Sequence, residues 1–116
     1  MLPSKNRLRK GFLGIYKDKK KVVDPMFLLF YKENGKDYPR VGFVIRKKLG
    51  KAYLRNKVKR MFRSVIREQL TENKDFQNLG CDFIFLVNHN ITNWETTRWE
   101  DIKNNIINAI TKIDKT

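Results

Sequence analysis

The sequence predicts one α+β domain, an α/β sandwich in which a mixed sheet is covered by about three helices. Three observations lead there. The chain has 116 residues, enough for one hydrophobic core and too few for two sizeable ones. Apolar residues make up 41% of it and aromatics 12%, more than a disordered basic tail carries. Third, a strand pattern at 40–47 is followed by a long helix pattern at 52–70 and a second strand pattern at 81–88. Such a unit places its two strands parallel in one sheet. By the general rule its crossover is right-handed.

The elements follow in chain order. Residues 4–10, Ser-Lys-Asn-Arg-Leu-Arg-Lys, read as an extended basic arm, residues 1–10 of the single domain 1–116. Phe12, Ile15 and Tyr16 stand at helical spacing and predict a short helix. Lys19-Lys20-Lys21 leads into a short strand at Val22-Val23. Pro25 then opens a strand over Met26–Lys32, at a position where its missing N–H is tolerated. Asn34-Gly35 signals a tight turn, lengthened by Lys36–Pro39. In the strand Arg40–Lys47, Val41, Phe43 and Ile45 alternate with Gly42, Val44 and Arg46, and Gly50 closes the loop behind it.

The clearest helix is 52–70, with Val58, Met61, Phe62 and Val65 at i, i+3, i+4 and i+7. At about 100° per residue, Asn56, Lys59, Arg60, Arg63 and Arg67 gather opposite them. Gly80 opens Cys81–Asn88, whose block Phe83–Val87 reads as a strand buried on both faces. The last helix carries Trp99, Ile102, Ile106, Ala109, Ile110 and Ile113 on one stripe. Thr97-x-x-Glu100 is its expected capping box, with Thr92-x-x-Glu95 as the earlier option.

Charge narrows the function. Lys and Arg number 26 against 12 Asp and Glu, a net charge of +14. Residues 1–68 hold 21 Lys/Arg and 5 acids, and Pro39–Arg67 holds 11 Lys/Arg and no acid. Confining one sign to one segment costs self-repulsion, which a polyanion offsets. Nucleic acid is the expected partner, and an anionic membrane surface is the competitor. Apolar runs such as Phe27–Tyr31 and Phe83–Val87 fall far short of the roughly 20 residues of a membrane-spanning helix. The basic N-terminus has no apolar stretch behind it, against a secretory signal. The single Cys81 forms no internal disulfide, which fits a reducing cytoplasm. With one His (His89) it leaves too few ligands for a Cys/His zinc site.

Nothing in the sequence announces catalysis. His89 has no recognisable nucleophile or carboxylate partner, Cys81 reads as packing, and the glycines match no phosphate loop. The acids Asp82, Glu95, Glu100 and Asp101 fall outside the basic segment, where a protein nuclease needs clustered carboxylates to hold metal. The helix at 52–70 is different. An ordinary solvated face sets Glu four residues from Lys or Arg, yet here the first acid is Glu68. Such a cationic stripe engages successive phosphates. Phe12 and Tyr16 read either as core packing or as a stacking surface for unpaired bases, and Phe30 shares both readings.

The run Arg40-Val-Gly-Phe-Val-Ile-Arg-Lys-Lys-Leu-Gly-Lys-Ala-Tyr-Leu-Arg-Asn-Lys-Val-Lys-Arg-Met-Phe-Arg63 resembles the signature of the bacterial ribonuclease P protein subunit. That pattern is a strand ending in Lys-Lys, then Gly and Ala, then Arg-Asn-Arg-x-x-Lys-Arg-x-x-Arg on a helix. The Asn-Arg-Leu-Arg-Lys arm at 6–10 and the aromatic pair at 12 and 16 match in order. Two positions depart from it: Lys57 holds the third place of Arg-Asn-Arg, and Arg46 stands where a small or hydroxyl residue is usual.

The resemblance implies a four-stranded sheet with a left-handed strand–helix–strand crossover, the ribosomal protein S5 domain 2-like fold, against the right-handed rule above. It implies a non-catalytic subunit of an endoribonuclease that removes the 5′ leader from precursor tRNA. The partners implied are ribonuclease P RNA and precursor tRNA, with no membrane and no obligate protein partner. The RNA subunit is expected to hold the catalytic Mg²⁺. By position, Arg55, Asn56, Lys57, Lys59, Arg60, Arg63 and Arg67 carry the RNA contact. Phe12, Tyr16 and Phe30 map onto the leader groove, flanked by Lys47 and Lys48. Asn56 is the candidate to meet a hydrated Mg²⁺. The competing classes are a general RNA-binding or ribosomal protein, a stand-alone nuclease and a membrane-surface protein.

Overall fold

The computed structural model describes residues 2–17, 20–89 and 94–113. Its strands are β1 (Lys21–Val23), β2 (Phe27–Glu33), β3 (Arg40–Val44) and β4 (Cys81–Val87). Its helices are α1 (Phe12–Lys17), α2 (Ala52–Glu72), α3 (Lys74–Gln77) and α4 (Trp99–Thr111). The strands form one mixed sheet in the order β1-β2-β4-β3. β3 and β4 run parallel, joined through α2 and α3, and the other neighbours are antiparallel. The expected parallel pair is therefore present.

Pairing register divides the sheet into two faces, because residues opposite each other across a ladder share a side. Leu29, Phe85 and Phe43 form one row, flanked by Phe27 with Val87 and by Tyr31, Phe83 and Val41. This face carries α2 and α4. Phe62 of α2 meets the rings of Phe27, Phe43 and Phe85 at centroid distances of 5.9, 6.2 and 6.1 Å. Ile102, Ile106, Ala109 and Ile110 of α4, and Ile113 just beyond it, are buried in the same core, with Trp99 packed against it. The opposite face has three rows: Lys32, Asp82 and Arg40; Phe30, Ile84 and Gly42; Leu28, Leu86 and Val44. β4 is buried on both faces along almost its whole length, as its uninterrupted apolar block requires.

The Asn34-Gly35 turn is present, with Gly35 at φ 72°, and the strands it joins are not neighbours, because β4 lies between β2 and β3. Other expectations are corrected. The basic arm is extended only in part and is docked on the sheet. Ser4–Asn6 form a 3₁₀ turn, Arg7 bridges to Val41, and the Leu8 N–H donates to the Val41 carbonyl at 3.0 Å. Leu2 and Leu8 are buried, and the Asn6 amide donates to the Pro39 carbonyl at 2.8 Å, so apolar burial and a satisfied polar group dock the arm on β3. β3 ends at Val44, and Lys47–Leu49 form a 3₁₀ turn before α2. α4 starts one residue later than the Thr97-x-x-Glu100 box requires. Asp101, not Glu100, reaches back to the cap, accepting from the Arg98 N–H at 3.3 Å. Thr92 and Lys19 lie outside the described residues.

Phe62 joins both strands of the parallel pair, β2 and Trp94, whose ring lies 6.2 Å away. Replacing it by Ala removes a fully buried ring and should cost about 3–5 kcal/mol. Thermal or denaturant unfolding checks this; unchanged stability would mean that α2 presents another face to the sheet.

Candidate nucleic-acid interface

The buried stripe of α2 is Leu54, Val58, Phe62, Val65, Ile66 and Gln69. Met61, expected within it, is half-buried at its edge, whereas Leu54 and Ile66 belong to it. Its cationic residues leave the stripe in different directions. Arg55, Asn56, Lys59 and Arg63 line a trough that runs beside edge strand β3, with Phe43 in its floor. Arg60 and Arg67 are exposed, Arg67 beside Pro3, Lys5 and Asn6 of the arm, and Lys47 and Lys48 are exposed on the turn that enters α2. Lys57 goes elsewhere: its ammonium donates to the Glu95 carbonyl at 2.9 Å. Lys57 therefore stands apart from the contact set, while Asn56, Lys59, Arg60, Arg63 and Arg67 all stand off the buried stripe.

The Arg55 Nε is shielded from solvent and lacks a hydrogen-bond partner among the described residues. An unmet buried donor costs about 1–3 kcal/mol. Across the trough stand Arg7 and Arg9 of the docked arm. Sequence reasoning did not place these two opposite α2, because their proximity comes from pairing the arm to β3 and not from spacing.

On the far side of the sheet, α1 covers only the middle row. The Tyr16 ring meets Phe30 edge-on at 4.8 Å. The Phe12 ring sits over Gly42, where an added Cβ would lie 2.5 Å from its Cζ. Phe12, Tyr16 and Phe30 are thus brought together, each partly buried, around the buried Leu8, Ile15 and Ile84. All three rings pack on that cluster and remain partly exposed. Burial pushes the Tyr16 phenol above its ordinary value, and the nearby Arg46 guanidinium pulls against that shift. In the next row, Val44 packs at the edge of this cluster, and Leu28 and Leu86 lie beyond it, each half-buried. Leu28 and Leu86 continue into a groove also lined by Val23, Asp24, Arg46 and His89. Strand alternation from Phe30 points to Leu28; no local signal points to Leu86 within a block buried almost throughout.

The arrangement offers two surfaces on the flanks of β3, one cationic and one aromatic and apolar. It offers little to hold a metal. Asn56 supplies one amide oxygen, and the residues lining the trough around it include Arg55 and Lys59 and no carboxylate. Mg²⁺ takes six oxygen ligands and favours carboxylates, so these side chains do not fit a protein-held site. Among the described residues no three His, Cys, Asp or Glu side chains cluster for a metal. No described helix is long and apolar enough to cross a membrane.

Residues 2–114 match a family model described as Ribonuclease P. The ribonuclease P protein component of Petrotoga mobilis is 30% identical over 109 residues, covering 93% of this chain and 89% of that one. That of Thermotoga maritima is 31% identical over 109 residues, covering 93% and 90%. The solved RNase P protein of Thermotoga maritima superposes with a TM-score of 0.80 at 30% identity, covering 93% of this chain and 97% of that chain. The Staphylococcus aureus RNase P protein gives a TM-score of 0.71 at 28% identity, covering 91% and 93%.

The Phe12–Gly42 contact sets how closely α1 approaches the sheet. Gly42→Val puts side-chain atoms where the ring lies, and overpacking of this kind costs about 1–3 kcal/mol. Amide hydrogen exchange should then speed up in α1 while β4 keeps its protection. Equal loss in both would show that the contact does not act on α1 alone.

Proposed function

The chain belongs to the ribonuclease P protein family, and from that membership we propose that it binds both ribonuclease P RNA and the 5′ leader of precursor tRNA. In this reading it supports endonucleolytic removal of the leader as a non-catalytic subunit. The observation that carries it is the pair of surfaces on β3, an acid-free cationic trough on one flank and a half-covered aromatic face on the other. Arg55, Asn56, Lys59, Arg60 and Arg63 engage phosphates of the catalytic RNA. Fork-shaped guanidinium groups suit such contacts, and each neutralised phosphate releases counterions. Lys57, turned towards Glu95, acts by holding the segment before α4.

Leader bases lie against Tyr16, Phe30 and the groove of Leu28 and Leu86 beyond them, where any base stacks without sequence preference. Phe12 supports that surface more than it faces it. Lys47, Lys48 and Arg46 balance the leader phosphates. The protein's cations thus lower the repulsion between two RNAs. From the family membership we assign the hydrolysis and its Mg²⁺ to the RNA subunit; Asn56 would meet a hydrated ion only together with an RNA phosphate. The location proposed is the cytoplasm.

A cleavage assay on precursor tRNA at low Mg²⁺, with and without ribonuclease P RNA, tests this. The protein should accelerate cleavage only when the RNA is present. Cleavage by the protein alone would make it a nuclease, and no effect on the RNA's rate would leave a general RNA-binding protein.

Leader binding has a separate readout. Tyr16→Ala removes one stacking face, worth about 1–3 kcal/mol per base contacted. The reconstituted holoenzyme should lose affinity for precursors with long leaders and keep its affinity for mature tRNA. An equal loss at every leader length, including none, would return Tyr16 to a packing role.

A further inference from the structure

We propose that Arg7 and Arg9 of the N-terminal arm complete, with Lys59 and Arg63 of α2, a two-walled clamp for the phosphate backbone of an RNA strand. The proposal rests on the RNA-binding reading above and makes the arm a contact element in its own right. Four cations line one trough from two elements separated by some fifty positions in the chain, and no acid lines it. None of the four forms an ion pair among the described residues. Phe12, Phe43 and Val41 make the floor apolar, and a low-dielectric floor between like-charged walls focuses the field on whatever enters.

The arm wall is built to stay in place. The Arg7–Val41 bridge, the Leu8 hydrogen bond and burial of Leu2 and Leu8 fix its backbone. The Arg7 Nε donates to the Leu2 carbonyl at 2.9 Å, which orients the guanidinium. Arg9 touches the exposed Ser4 hydroxyl at 3.3 Å. Holding four cations together without counter-charge costs self-repulsion, and a strand passing between the walls offsets it. The concave, two-walled shape admits an extended backbone and not a flat bilayer. Either the catalytic RNA or the precursor can supply such a backbone.

The test reconstitutes the holoenzyme with wild-type protein, with Arg7→Gln/Arg9→Gln, with Arg9→Gln alone, and with Lys74→Gln/Lys112→Gln. Lys74 and Lys112 are exposed and line no part of the trough. Affinity for ribonuclease P RNA, and of the holoenzyme for precursor tRNA, is measured against salt. Each phosphate contact on a single strand contributes about 0.7 to the slope of log K against log salt. The double arm variant should flatten that slope by about 1.4 and Arg9→Gln by about 0.7, beyond any change in the control pair. Flattening with ribonuclease P RNA assigns the strand to that RNA, and flattening with precursor alone assigns it to the precursor. If Arg7→Gln prevents folding, Arg9→Gln decides by itself. Slopes equal to the control pair overturn the clamp. Should that happen while the wild-type protein still accelerates cleavage, the clamp fails and the functional reading stands. A wild-type protein that binds neither RNA removes both.

Discussion

The structure depends on one strand. β4 is hydrogen-bonded on both edges, to β2 antiparallel and to β3 parallel, and it is covered on both faces. Phe83, Ile84 and Phe85 are fully buried there. Because β4 takes the centre, β3 is displaced from its chain neighbour β2 to the edge of the sheet. An edge strand leaves unpaired backbone groups exposed. Here the arm satisfies part of that edge at Val41, and α2 rises beside it. The cationic trough is the space between these two coverings.

The two faces of the sheet are unequal because their helices are. One carries the 21-residue α2 and the 13-residue α4, the other the six-residue α1. A short helix cannot cover three rows of side chains. It caps the row Phe30–Ile84–Gly42, touches the cluster that Val44 joins, and leaves Leu28 and Leu86 beside it. Alternate residues of the same strands therefore build the core and the accessible apolar surface. Phe12 belongs to both faces of this problem. It packs on Gly42 and lines the trough, so it links the aromatic face to the cationic one.

Cations in the basic segment do not all serve one purpose. Arg40 forms a two-pronged pair with Asp82, Nε to Oδ1 at 2.7 Å and Nη2 to Oδ2 at 2.6 Å. Asn34 adds a third donor to Asp82 at 3.0 Å. These bonds hold Arg40 protonated more firmly, the hydrogen bond to Asp82 being the main cause. Outside the segment, Lys103 pairs with Glu68 and ties α4 to α2. Charge density alone thus overstates the surface available to a polyanion, because some of it is consumed in joining elements. The charges that remain are those beside β3 and at the exposed positions of α2.

Much of this was legible in the residues themselves. The alternation over Arg40–Val44, the heptad-like spacing of Val58, Phe62 and Val65, and the apolar block Phe83–Val87 are local patterns, and local geometry decides them. So is the acid-free run that makes α2 cationic. Other features needed the folded chain. Asn34-Gly35 marks a tight turn, and only the insertion of β4 keeps the strands it joins apart. Lys57 looks like its cationic neighbours, and only the position of Glu95 draws it aside. Arg7 and Arg9 look like a solvated tail, and only the burial of Leu2 and Leu8 against β3 brings them across from Lys59 and Arg63. Spacing along a helix or strand determines which residues share a face. Which face meets which is decided by long-range pairing and burial, and these join positions that no sequence window spans.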